Sequence, residues 1–154
     1  TFAAPDVGST NRVREVANYF NAEMVICDKH RKRANEFASM VVIGDVTGKD
    51  IVIVDDICDT GGTLVKAAAL LKEKGARSVR AMITHPVLSG KAYENIENSV
   101  LEELVVCDTI PLAHPSAKIK VVTVADLFAI AIRNAYENKS ITSLFVHSQL
   151  KARG

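Results

Sequence analysis

Ile51-Val52-Ile53-Val54-Asp55-Asp56-Ile57-Cys58-Asp59-Thr60-Gly61-Gly62-Thr63-Leu64 joins an apolar run to a helix through an acidic, glycine-containing turn. Residues 51–54 form the kind of continuous apolar strand that is buried on both faces of a parallel sheet. Beyond the turn, Leu64, Ala67, Ala68 and Leu71 recur at helical spacing, and Gly75 stands where a C-terminal cap belongs. The unit is therefore strand, loop, helix, with the loop predicted over residues 55–62. In open α/β sheets ligands bind beyond the carboxyl ends of the strands, which is where Asp55 and Asp56 fall. Paired carboxylates there can accept charge-assisted hydrogen bonds from vicinal hydroxyls. The turn Asp59-Thr60-Gly61-Gly62-Thr63 leads into a helix N-terminus, whose unpaired N–H groups and positive dipole end suit a phosphate. Gly61 and Gly62 permit close backbone approach, while Thr60 and Thr63 add hydroxyl donors.

Each half of this segment also has an ordinary reading. An acidic pair after a strand can be a solvated or metal-binding end, and the turn can be a plain helix cap. Joined in this order, they answer the needs of a phosphorylated sugar. The segment departs from the Walker A pattern, because no Lys follows the glycines, and from the GxGxxG dinucleotide turn.

Outward from this unit, strand-like and helix-like segments alternate, the pattern of an α/β domain with a mostly parallel sheet flanked by helices. Upstream, residues 1–4 read as the tail of a strand feeding a loop at Pro5-Asp6. After Ser9-Thr10-Asn11, Val13, Val16, Ala17 and Phe20 predict a helix, and residues 24–27 a short buried strand. Residues 28–39 contain the basic run Lys29-His30-Arg31-Lys32-Arg33 and read as a loop, with a strand resuming at 41–43. Such a run is also the signature of a solvated surface or a nucleic-acid patch. Downstream, strands are predicted at 79–84, 104–107 and 121–124, a short helix at 92–96, and an apolar-faced helix at 125–136.

The composition is that of one domain over residues 1–154. The chain is 48% hydrophobic and 24% charged, with a formal net charge of +1 that supplies no global field toward nucleic acid or anionic lipid. Its three cysteines lack CxxC spacing and fit a reducing, cytoplasmic setting. No apolar run approaches the ~20 residues of a membrane span. His85, His114 and His147 are dispersed without metal-ligand spacing and receive no catalytic role. The opening residues read as part of a longer chain.

The run from 54 to 63 resembles the phosphoribosyl pyrophosphate binding signature shared by type I phosphoribosyltransferases and ribose-phosphate diphosphokinases. Further segments resemble the diphosphokinases in particular: Asp28-Lys29-His30-Arg31-Lys32-Arg33-Ala34-Asn35-Glu36, Thr84-His85-Pro86-Val87-Leu88-Ser89-Gly90, Val105-Val106-Cys107-Asp108-Thr109-Ile110-Pro111 and Ser140-Ile141-Thr142-Ser143-Leu144-Phe145. The resemblance covers residues 5–145 and corresponds to the C-terminal half of a family member. It implies a type I phosphoribosyltransferase-like fold and transfer of the diphosphoryl group of ATP to the 1-hydroxyl of ribose 5-phosphate. Lys29 would be the catalytic lysine, and Arg31 would act with it as a ligand of substrate phosphates. Asp55, Asp56, Asp59, Thr60, Gly61, Gly62 and Thr63 would hold ribose 5-phosphate, and Asp6 would help hold Mg2+. In the family the N-terminal half supplies much of the ATP site and a metal-binding His, so this stretch alone is expected to turn over poorly. Homo-oligomers, commonly hexamers regulated by ADP and phosphate, are implied as well. His30 and Lys32 stand where an Arg and a Pro are frequent in the family, and Gly8-Ser9-Thr10-Asn11 replaces a Gly-Gly-containing run. Two other readings share the signature: a phosphoribosyltransferase, and a noncatalytic homologue that senses phosphoribosyl ligands.

Overall fold

The computed structural model describes residues 1–30 and 39–145. Seven strands form one sheet: β1 (Phe2–Ala4), β2 (Met24–His30), β3 (Ser39–Ile43), β4 (Asp50–Cys58), β5 (Ser78–Pro86), β6 (Glu103–Cys107) and β7 (Ile119–Val122). Their order is β3-β2-β1-β4-β5-β6-β7, all neighbours parallel except the antiparallel pair β2 and β3. Among the described residues four α-helices accompany the sheet: α1 (Thr10–Tyr19), α2 (Gly62–Glu73) and α3 (Ala92–Glu97) between strands, and α4 (Ala125–Tyr136) after the last one.

Alternation along the central strands divides the core between the two sheet faces. Ala3, Val25, Ile51 and Ile53 belong to a large cluster with Leu64, Ala67, Ala68 and Leu71 of α2 and with Ala92, Tyr93 and Ile96 of α3. Ala4 and Val54, with Phe2, Met24, Ile26 and Val52, pack on the other face against Val13 and Val16 of α1. The apolar run of β4 thus serves both layers, which is why it shows no polar alternation.

The chain leaves β1 for β2 on one side and later returns to lay β4 on the other. That reversal makes the gap between β1 and β4 the topological switch point, where a crevice opens past the strand ends. Pairing of Phe2 with Val52 and of Ala3 with Ile53 puts Pro5 and Asp6 level with the start of the acidic pair.

Three expected boundaries are corrected. Residues 28–30 are strand, not loop, because Asp28, Lys29 and His30 pair with Val41, Met40 and Ser39. The ladder hydrogen bonds belong to the backbone, so a polar antiparallel ribbon forms without an apolar pattern. Likewise β4 continues through Cys58, with Asp55 opposite Ile83 and Ile57 opposite His85, so the loop shrinks to residues 59–61. The last strand lies two residues earlier than expected, at Ile119–Val122, because buried Ile119 pairs with Leu104.

The helix expected at 125–136 is present as α4, yet none of its residues is buried, and Ile132 is 67% exposed. Leu127, Phe128 and Ile130 are exposed too, as are Val121 and Val122 of β7. A helix apolar around most of its circumference is ordinarily covered in a working protein. Among the described residues no helix is long and apolar enough to cross a membrane.

Candidate functional site

A cavity of about 250 Å³ lies at the switch point, lined by Pro5 and Asp6 just after β1, by Asp55, Ile57 and Cys58 of β4, and by the turn into α2. It brings together Asp6, Asp55, Asp59, Thr60, Gly61, Gly62 and Thr63, all singled out from the sequence. Asp56 lies beside it, with its carboxylate turned to Arg12.

The turn is shaped by a few definite interactions. Gly61 sits at the N-cap of α2 with φ +73°, in the left-handed region that a side chain disfavours. The first regular helical bond is Val65 N–H to Gly61 carbonyl, so the preceding amides of α2 are available to a ligand. The segment after β5 secures the turn from outside. Leu88 and Ser89 N–H groups donate to the carbonyls of Cys58 and Asp59, and Ser89 Oγ donates to the Asp59 carboxylate. Asn95 of α3 donates to the Thr60 carbonyl at 2.9 Å.

The acidic side of the cavity is more crowded. Burial, with the nearby charges of Asp56 and Asp6, raises the Asp55 carboxyl above its ordinary range, while the Asp56 N–H works against that shift. Arg12 on α1 bonds both members of the pair, Nη1 to Asp55 Oδ1 at 2.8 Å and Nη2 to Asp56 Oδ2 at 2.6 Å. Asp6 Oδ1 accepts the Ser9 N–H at 2.9 Å and the Ser9 hydroxyl at 3.2 Å, so this carboxylate also helps start α1. Cys58 lines the cavity, but burial pushes its thiol up to about 11, which leaves it protonated and unreactive at neutral pH.

Lys29 is placed by its backbone, in β2 opposite Met40. The role expected of its side chain, and that of Arg31, lie outside the described residues. Arg12, Ser89 and Asn95 carried no assignment from the sequence. Ser89 falls in a segment of family resemblance without an assigned role, whereas a single Arg early in a helix gives no spacing signal.

Among the described residues no cluster of three or more His, Cys, Asp or Glu side chains could hold a metal ion. Mg2+ retains waters and often takes only one or two carboxylates beside the phosphates of its substrate. Asp6 meets that requirement, since it lines the cavity and only its Oδ1 accepts a hydrogen bond from the described residues.

Comparison with known proteins fits this geometry. A ribose-phosphate pyrophosphokinase of Campylobacter jejuni is 54% identical over 143 residues, 93% of this chain and 46% of the relative. That of Wolinella succinogenes is 54% identical over 144 residues, 94% of this chain and 47% of the relative. The chain therefore spans about half the length of the curated relatives it matches. The crystal structure of phosphoribosylpyrophosphate synthetase from Mycobacterium smegmatis superposes with a TM-score of 0.82 at 32% identity, covering 89% of this chain and 45% of that one. The mostly parallel sheet flanked by helices is the α/β, phosphoribosyltransferase-like fold anticipated from the sequence. The family described as the phosphoribosyl synthetase-associated domain matches residues 9–146. With that match extending over most of its length, the chain belongs to the phosphoribosyl synthetase-associated domain family.

Proposed function

We propose that residues 1–154 form the C-terminal, phosphoribosyltransferase-like part of a ribose-phosphate diphosphokinase, and that the cavity between β1 and β4 holds ribose 5-phosphate. The observation that carries this reading is the convergence of Asp6, Asp55 and the turn 59–63 on one cavity at the switch point. The turn and the first amides of α2 take the 5-phosphate, with the Thr60 and Thr63 hydroxyls adding donors. Asp55 and Asp56 accept hydrogen bonds from the ring hydroxyls. Asp59 belongs to the same turn, steadied by Ser89.

In the reaction, the 1-hydroxyl oxygen of the sugar attacks the β-phosphorus of ATP, and the bond from that phosphorus to the α,β-bridging oxygen breaks, leaving that oxygen on AMP. AMP departs, and the hydroxyl proton passes to solvent. Such a transfer depends on alignment and on cationic groups that meet the charge spread over the phosphoryl oxygens. Lys29 and Arg31 are the cationic groups assigned to that work. Asp6 would hold Mg2+, which when bound neutralises phosphate charge. The full-length protein is read as a cytoplasmic homo-oligomer, a hexamer by family resemblance, and the uncovered apolar surface of α4 and β7 is in keeping with a larger assembly.

The full-length protein, given ATP, Mg2+ and ribose 5-phosphate, is expected to release AMP and form phosphoribosyl pyrophosphate in equal amounts, read by chromatography of the nucleotides. Formation of ADP would indicate transfer of a single phosphoryl group, and no sugar-dependent nucleotide turnover would reject the diphosphokinase reading.

A further inference from the structure

Arg12 divides its guanidinium between two consecutive carboxylates of one strand. Nη1 donates to Asp55 Oδ1 at 2.8 Å and Nη2 to Asp56 Oδ2 at 2.6 Å. Successive residues of a strand direct their side chains to opposite faces, so Asp55 and Asp56 have no intrinsic reason to address one ligand together. The planar fork of an arginine, carried on a helix that packs across the strand, can draw both toward one side. Asp55 Oδ1 is further engaged by the Asp56 N–H at 3.0 Å. The two carboxylates also lie against one another, and among the described residues no N–H or O–H of another residue donates to Asp55 Oδ2 or to Asp56 Oδ1. Each carboxylate thus keeps one oxygen engaged by the protein and one available as an acceptor.

We infer that Arg12 is a positioning residue that sets the Asp55 and Asp56 carboxylates so that their remaining oxygens receive the sugar's ring hydroxyls. The inference rests on the ribose 5-phosphate reading given above. A contribution to fold stability is a weaker explanation for the contact. Side-chain exposures of 41% for Arg12, 21% for Asp55 and 49% for Asp56 leave the ion pairs screened by water. Nor does the phosphate turn need Arg12, because Ser89 and Asn95 secure it from the opposite side.

The test compares ribose 5-phosphate with 2-deoxyribose 5-phosphate, which keeps the phosphate and lacks one ring hydroxyl, by calorimetric titration of the full-length protein. A hydrogen bond to a charged acceptor predicts that the native protein prefers the ribose compound by about 10- to 100-fold. In Arg12→Ala that ratio is expected to fall to within about threefold of unity, chiefly through weaker ribose 5-phosphate binding, while Tm moves by no more than about 4 °C. Arg12→Lys, which keeps the charge and loses the fork, is expected to fall between. Should Arg12→Ala fail to fold, Arg12→Lys still decides, because its ratio must drop below the native one. A native ratio near unity, an undiminished ratio in the variants, or equal weakening of both sugars would overturn the inference. Equal weakening is what a direct Arg12–phosphate contact would give. If the native protein binds neither compound, the function proposed for the cavity fails as well, an outcome distinct from binding with unchanged preference.

Discussion

Lys29→Ala in the full-length protein is expected to lower turnover by roughly 10²- to 10³-fold while ribose 5-phosphate binding survives, the size of effect seen when one preorganised donor to a developing charge is removed. The backbone supports this assignment. Ala4, at the end of β1, pairs with Ile26, and β2 continues in the same direction to Lys29. Three further residues at about 3.3 Å each carry the Lys29 backbone roughly 10 Å beyond the level of Ala4. It lies on the side of the sheet edge where Pro5, Asp6 and the cavity are found. Antiparallel pairing with β3 makes this stretch a ribbon that can present a cation to the ligand's phosphates. Steady-state turnover and sugar-phosphate affinity, measured on the same variant, check the expectation. Unchanged turnover would reject the catalytic role, and joint loss of binding would make Lys29 a binding residue.

The largest effect on stability is expected from Gly44→Ala. Gly44 follows β3 with φ +116°, a conformation other residues avoid. A Cβ there would stand 2.6 Å from Cγ1 and 3.2 Å from Cβ of Val25, which is 3% exposed in the core. Val25 cannot yield cheaply, because it lies on β2 in register with Ala3 of the central strand. Backbone strain of roughly 1–3 kcal/mol and overpacking of similar size together predict a loss of about 2–6 kcal/mol. That is a large part of the usual stability of a domain. Denaturant unfolding should show a lower midpoint with an unchanged slope. A midpoint at the native value would mean that the turn after β3 relaxes freely.

The parts of the structure legible in the sequence are those whose signal is local. The apolar run of β4, the period of Leu64, Ala67, Ala68 and Leu71, and the turn between them are contiguous, and so their meeting at one cavity follows from the unit itself. Asp28 to His30 pair through the backbone without an apolar pattern, and the Asp55-Asp56 pair interrupts the apolar run of β4 before the buried Cys58, which is why both stretches read as loop and are strand. The composition of α4 reveals that it is apolar and helical, but burial depends on what lies against it, and the described residues leave it exposed. Arg12 was hidden for a related reason. It reaches carboxylates 43 and 44 positions away, a contact created only when α1 packs across the sheet on Val13. The Ser89 contact with Asp59 likewise joins two loops through adjacent parallel strands.

Calorimetric titration of the full-length protein with ribose 5-phosphate, beside Asp59→Ala and Thr63→Ala, tests the site most directly. Saturable binding that weakens by about tenfold or more in each variant is the predicted result, because Thr63→Ala removes a hydroxyl donor to the phosphate and Asp59→Ala removes the carboxylate through which Ser89 steadies the turn. Undiminished affinity in both variants would contradict it and place the sugar phosphate elsewhere.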